Sequence, residues 1–251
     1  MKMIPRTAEV PVRLSPSGKD IERGDLAFDT GEADDCALEE ALRLKERFGG
    51  KVTIVTAGPP EADEILRTGL AKGADHAVRI DDRREGIADP AITARLLSEA
   101  IKRRSFDLIL TGCMAEDDNF ALAGQLIAAF LDIPCAVLVS RLELDPQRRI
   151  VRCRSEWEEG MCAAFELPLP ALLTVQTGIN EPRYASLRGI REALRRKIEI
   201  MPFPQELKDA PSLEVLSMFL PPSEKQGLIL KGDPKDLSRK LLDILRDRGF
   251  L

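Results

Sequence analysis

The apolar positions along the first 145 residues keep two alternating rhythms. In "DDCALEEALRLKERFGG" (34–50) they fall at 37, 38, 41, 42 and 44, the spacing of one helix face, and Gly49-Gly50 supplies the stop. "KVTIVTAGPP" (51–60) follows as a continuous apolar run ending in Gly-Pro, which predicts a buried strand. The pair repeats: a helix over 61–75, a strand over 76–81, and a helix over 89–105 opened by Asp89-Pro90. A strand over 106–112, a helix over 119–132 and a strand over 135–144 complete this part. The strands lack period-2 alternation, as expected of a parallel sheet covered on both faces. The fold class expected is therefore α/β, a doubly wound, mostly parallel sheet with flanking helices.

Beyond 145 the rhythm changes. "RIVRCRSE" and "MCAAFEL", parted by Glu158-Glu159-Gly160, predict a hairpin, and "PALLTVQT" another buried strand. A polar loop with Asn180, Glu181, Pro182, Arg183 and Tyr184 leads past Leu187 into the basic run Arg188, Arg191, Arg195, Arg196, Lys197. Such a run is ordinarily a solvated helix face, but loops of this kind also carry contacts to other molecules. After about 200 the chain is Pro-rich and aperiodic, and it closes with a helix capped at Asp233 or Asp236 and stopped at Gly249. A long irregular arm ending in a helix is explained if it packs on a partner chain. The expected division is 1–200 and 201–251.

Composition narrows the function classes. A net charge of −5 argues against nucleic acid, whose phosphates need a basic face. One His and five cysteines (Cys36, Cys113, Cys135, Cys153, Cys162) without CxxC spacing give neither a metal cluster nor a disulfide framework. A reducing, cytoplasmic compartment is expected, with no transmembrane segment. His76 reads as a surface or boundary residue.

In open α/β sheets ligands lie beyond the carboxyl ends of the strands. Two such ends carry glycines here, Ala57-Gly58 and Gly112, and Gly124 sits in the first turn of a helix whose free N–H groups could receive a phosphate. Neither GxGxxG nor a P-loop is present, so the glycines taken alone read first as ordinary βα turns and only second as a nucleotide site. Glu116, Asp117 and Asp118 could serve acid–base or metal chemistry, but acidic residues before a helix more often face its dipole.

With these segments in hand, the sequence resembles the beta subunit of electron-transfer flavoproteins. "NEPRYASLRGIREALRRKIE" carries the likeness, supported in order by "ALEEALRLKE", "GLAKGAD", "DLILTG", "GQLIAAFLDIP", "LPLPALLTV" and the C-terminal 39 residues. The resemblance implies an adenine-nucleotide alpha-hydrolase-like fold and an electron carrier rather than a stand-alone enzyme. It implies a heterodimer with an alpha subunit that holds most of the FAD and on which the arm 201–251 packs. It also implies acyl-CoA-dehydrogenase-type donors of fatty acid beta-oxidation and a quinone reductase or other acceptor. Residues 180–197 would be the recognition loop, with Leu187 as anchor and Asn180, Glu181, Pro182, Arg183, Tyr184, Arg188 and Arg191 as partner-binding residues. AMP, or a second FAD in a bifurcating NADH-linked form, would sit among Gly31, Glu32, Ala33, Asp34, Ala57, Gly58, Gly112 and the run Asp117, Asp118, Asn119, Phe120, Ala121, Leu122, Ala123, Gly124, Gln125.

Against the family pattern, the side-chain donors that precede the helix are replaced by Ala121, Leu122 and Ala123, and an Asn-Pro-Phe/Tyr stretch by Gly31-Glu32-Ala33-Asp34. A partner-docking scaffold with a decayed nucleotide site is the non-redox alternative. The family also opens with an apolar strand ahead of the stretch aligned with Met1–Glu9. Its loss should leave unpaired backbone inside the sheet unless the start lies further upstream or another segment takes its place.

Overall fold

The structure, a computed structural model, describes residues 1–7, 10–84, 88–157, 160–207, 213–221 and 227–251. Ala8, Glu9, Glu158 and Glu159, named above, lie outside them, as do 208–212 and 222–226 of the Pro-rich stretch. The chain divides into two units, Met1–Met218 and Phe219–Leu251.

In the first unit β1 (Met3–Pro5) pairs antiparallel with β2 (Phe28–Thr30). α1 (Glu32–Phe48) follows, with Asp34 and Asp35 in its first turn and Lys45 and Arg47 in its last, each complementing the helix dipole. Gly49, at φ 80°, ends it in a backbone region open to glycine. Next come β3 (Thr53–Gly58), α2 (Asp63–Lys72), β4 (His76–Asp81), α3 (Pro90–Lys102) and β5 (Leu108–Gly112). Asp89 caps α3 by accepting from the N–H groups of Ala91 and Ile92, with Pro90 at the first helical position, as the sequence suggests. α4 (Ala123–Leu131), β6 (Cys135–Asp145), β7 (Ile150–Glu156), β8 (Cys162–Pro168) and β9 (Ala171–Val175) come next, then α5 (Leu187–Arg195) and β10 (Glu199–Met201).

The α/β class holds, and parallel pairing dominates the interior. The strands form two main sheets: β10-β4-β3, all parallel, and β5-β9-β6-β7-β8, in which β5, β9 and β6 are parallel. The expected hairpin is the antiparallel pair β7–β8, with Ile150 opposite Pro168. β9 is the buried centre: all five residues of Ala-Leu-Leu-Thr-Val are shielded from solvent, and each large side chain there contributes about 1.5–3 kcal/mol of burial.

Helices cover both faces. On one, Leu38 and Leu42 of α1 and Leu66 and Leu70 of α2 pack with Ile54 of β3, while Cys36 and Ala37 of α1 reach Val175 and Leu110. On the other, Ile92 and Leu96 of α3 pack with Val78, Ile80, Val55 and Ala57, while Ala94 and Leu97 join Ile127 and Ala128 of α4 over Leu172 and Ile109. α1 and α3 therefore each bridge the two sheets. Among the described residues no strand pairs with the outer edge of β3 or of β5.

One element starts later than its sequence suggests. The helix expected from Asn119 begins at Ala123, because Asn119 and Ala121 take φ of 54° and 51°, a left-handed region that breaks helical continuity.

In the second unit α6 (Pro234–Asp247) is capped by Asp233, whose carboxylate accepts from Lys235 N–H, and Gly249 follows at φ 74°. α6 buries none of its residues, and Phe219, Leu220, Leu228, Ile229, Leu241, Phe250 and Leu251 are exposed. No helix among the described residues is long and apolar enough to cross a membrane.

Candidate functional site

Two loops at the carboxyl ends of the adjacent strands β5 and β9 hold the candidate runs Asp117–Leu122 and Asn180–Tyr184. The first runs from Cys113 to Leu122. Its acidic residues are occupied within the chain. Lys2 Nζ lies 2.5 Å from Asp117 Oδ1 and 2.6 Å from Asp118 Oδ2. The second oxygen of Asp118 accepts from Phe120 N–H, and Glu116 accepts from Glu32 N–H at the start of α1. Asp34 accepts from Gly112 N–H at 2.8 Å and from Lys2 N–H at 2.7 Å, tying α1 to the end of β5. Gly31, Glu32, Asp34, Gly112 and Glu116 to Asp118 thus come together. Ala57 and Gly58 end β3, where Gly58 C=O accepts from buried Arg79, which is also paired to Asp63 and Asp81.

The glycines of this loop serve the chain's own packing. A Cβ on Gly112 would stand 2.8 Å from Asp34 N, and one on Gly124 would stand 2.5 Å from Thr174 Cγ2. Gly124 lets α4 sit directly on β9. Leu122 offers no side-chain cap to α4, so the first-turn N–H groups are the donors left there. Gln125 turns its amide N–H back to Ala121 C=O. The set fits a phosphate poorly. Glu32, Asp34, Glu116, Asp117 and Asp118 surround the loop, Lys2 is taken by two carboxylates, and Ala121, Leu122 and Ala123 give no side-chain donor. Among the described residues no cluster of His, Cys, Asp and Glu could hold a metal ion.

The second loop, from Gln176 to Ser186, is built the opposite way: its foot is clamped and its tip is free. Asn180 Nδ2 donates to Cys36 C=O at 3.0 Å and to Glu40 at 3.1 Å. Arg183 lies along α1, giving its backbone N–H, Nε and Nη2 to Glu39 and its Nη groups to Glu46. Glu39 is only 4% exposed and also accepts from Arg43 Nε at 2.8 Å. Burial alone would push its carboxyl up; the hydrogen bonds from Arg183 and Arg43 outweigh burial and bring it down to about 2. On Arg183, the bonds to Glu46 and then Glu39 raise the guanidinium further above its ordinary value. Past this clamp Tyr184 is 97% exposed and Leu187 79% exposed.

Ser186 caps α5 by accepting from Gly189 N–H at 3.0 Å. α5 then lies against α2 through Gly189, where a Cβ would stand 2.2 Å from Ala71 O, and through buried Ala193. Arg67 and Arg196 fix it further by donating to the carbonyls of Ala193 and Ala74. With that face committed, Leu187, Ile190 and Leu194 form an exposed apolar stripe at i, i+3, i+7, beside a second stripe of Arg188, Arg191 and Arg195. Arg188 pairs with Glu192, which leaves the basic stripe largely in solvent.

Glu39 and Glu46, which hold Arg183 at the foot of the loop, are residues that sequence reasoning misses. The signal was a carboxylate at 39 beside the buried positions 38 and 42, which helical periodicity treats as a boundary residue. Lys2, too, drew no attention in the sequence.

Comparison with known proteins gives the frame for both loops. Residues 25–206 match the family described as electron transfer flavoprotein domain. The chain is 37% identical to the electron transfer flavoprotein subunit beta of Bacillus subtilis (strain 168), covering 91% of this chain and 92% of that protein. It is 34% identical to the subunit beta of Methylophilus methylotrophus, over 95% and 94%, and 31% identical to that of Bos taurus, over 94% and 93%. A likeness of this extent, along a fold whose strands and helices follow in the expected order, means that the chain belongs to the electron transfer flavoprotein family, on its beta-subunit side.

Proposed function

We propose that this protein is one half of an electron-carrying heterodimer, and that loop 180–187 with α5 is the surface by which the pair grips its redox partner. The observation that supports this reading is a loop held from beneath by a buried carboxylate while Tyr184 and Leu187 stand in solvent. A protruding Leu is an anchor for an apolar pocket, and the flanking arginines steer an acidic rim toward it. The donor proposed is an acyl-CoA-dehydrogenase-type enzyme and the acceptor a quinone reductase. FAD, held mainly by an alpha subunit, supplies the redox chemistry when bound; the residues discussed above take no chemical step. The exposed apolar side chains of 219–251 support an arm that packs on that subunit.

The loop at 116–125 separates two versions of the function. Its acidic surroundings argue against a stoichiometric AMP or second FAD there, and so against the bifurcating form. Extraction of the purified heterodimer should release flavin but much less than one adenine mononucleotide per pair; a full equivalent of either nucleotide in this subunit would reverse that part of the reading.

The docking assignment is tested with Leu187→Ala in the heterodimer. Electron transfer from an acyl-CoA dehydrogenase should slow by roughly tenfold or more, the effect of losing an anchor residue, while flavin content stays the same. Unchanged kinetics would remove the assignment.

A further inference from the structure

Gly189 and Ala193 hold α5 on α2, which decides what the rest of the helix shows to solvent. At about 100° per residue the remaining positions fall into two neighbouring strips, each within about 60° of arc. One carries Leu187, Ile190 and Leu194, exposed at 79%, 43% and 63%. The other carries Arg188, Arg191 and Arg195, and a hollow of about 280 Å³ lies among Arg188, Arg191, Glu192 and Arg195. We propose that this face of α5, with Tyr184 at its head, rests on an anionic lipid surface. A lipid phosphate enters the hollow between the arginines, and the apolar strip meets the boundary of the acyl chains. This contact goes beyond the docking role above and shares only its surface, so the two occupants exclude each other.

Charge supplies the first support. Between Tyr184 and Lys197 the cations Arg188, Arg191, Arg195, Arg196 and Lys197 face the single carboxylate of Glu192, in a chain whose net charge is −5. Glu192, the acidic group at the hollow, already accepts from Arg188 Nε at 2.8 Å. Arg191, Arg195 and Lys197 make no ion pair among the described residues. Arg196 donates to the carbonyls of Ala74 and Asp75, neutral partners that leave its charge in place. A guanidinium fork suits a phosphate oxygen pair, and each cation near an anionic membrane adds to the attraction.

The second support is the length of the apolar strip. An anchor for a protein pocket needs Leu187 alone, yet Ile190 and Leu194 prolong the strip along the whole of α5, about 13 Å, beside the basic one. Cations bordering an apolar strip are the pattern of a helix lying in the plane of a membrane interface, where arginine stems run along apolar surface and their heads stay at the phosphates. Tyr184, 97% exposed, supplies an aromatic ring with a polar tip, the type of side chain that sits at headgroup level. A fluid lipid surface answers both strips at once and requires no groove of matching shape. The contact is peripheral, since no helix among the described residues is long and apolar enough to cross.

The test floats the full chain with phosphatidylcholine vesicles, with and without phosphatidylglycerol, and with no redox enzyme present. At low salt the anionic vesicles should bind more tightly than the neutral ones by roughly tenfold or more, and high salt should remove the difference. Arg191→Gln with Arg195→Gln should weaken binding roughly twentyfold, about fivefold per cation. Leu187→Gln with Leu194→Gln should weaken it roughly tenfold. All four side chains are exposed, so the melting temperature should hold in both variants. Equal binding to neutral and anionic vesicles would overturn the proposal. So would binding that neither pair of substitutions weakens, which would place the contact elsewhere, as on the exposed apolar side chains of 219–251. Loss with the arginine pair alone, together with displacement by inorganic phosphate, would make the hollow a site for a soluble anion. Soluble polyglutamate that binds as tightly as the vesicles would make an acidic protein surface the occupant. The kinetics of Leu187→Ala with a dehydrogenase bear on the docking role alone, so either reading can fail while the other stands.

Discussion

The loops after β5 and β9 leave neighbouring, hydrogen-bonded strands, yet they use their charges in opposite ways. After β5, Lys2 is drawn between Asp117 and Asp118, Glu116 and Asp34 hold backbone N–H groups, and the charges close on one another. After β9, one buried carboxylate fixes the foot of the loop so that the tip can stay open, with Tyr184 and Leu187 in water. Similar positions in the sheet thus give a sealed loop and a presented one. What separates them is where the ion pairs sit: across the loop in the first, beneath it in the second.

The comparison can be broken at its strongest point first. Arg183→Ala leaves Glu39 buried with only Arg43, and should cost about 3 kcal/mol, the low end for breaking a buried pair, in a denaturant titration. A loss below about 1 kcal/mol would show that the foot of the loop is not held this way. The next effect is read in acid. Glu39 ionises at about 2 in the folded chain against about 4.3 unfolded, so its contribution is complete above about pH 5 and disappears as pH falls toward 2. Wild type should lose about 2–3 kcal/mol across that window beyond whatever Glu39→Gln loses.

How α5 is seated gives the third test. Gly189→Ala places a methyl on Ala71 O, and should cost about 1–3 kcal/mol as α5 is pushed off α2. The smallest effect belongs to the sealed loop. Lys2→Ala removes a partly exposed bridge worth about 0.5–1 kcal/mol, and should leave electron transfer from the dehydrogenase unaltered. A tenfold loss of transfer in that variant would erase the distinction between the two loops.

Much of the architecture could be read from residue order, and the reason is physical. Period-3.6 stripes such as 38, 42 on α1 and apolar runs such as 171–175 report burial directly, so element types and succession followed. Asn119 and Ala121 were read as helical because their side chains permit a helix; only the backbone angles reveal otherwise. The candidate loops were found at the correct strand ends, but their internal partners were not. Glu39 meets Arg183 across 144 positions of sequence, and Lys2 meets Asp118 across 116, and no local pattern encodes contacts at that distance. Likewise, the glycines at 112 and 124 suggest room for a ligand, whereas it is Asp34 and Thr174 that need the room.

The clamp under the second loop has a kinetic side. A loop tied to α1 by Asn180 and Arg183 has surrendered much of its backbone freedom during folding, so little more is lost when another protein arrives. Under the docking role proposed above, encounters are brief and frequent, with recognition limited by diffusion and orientation instead of by rearrangement, which suits a carrier that must release each client as readily as it meets it.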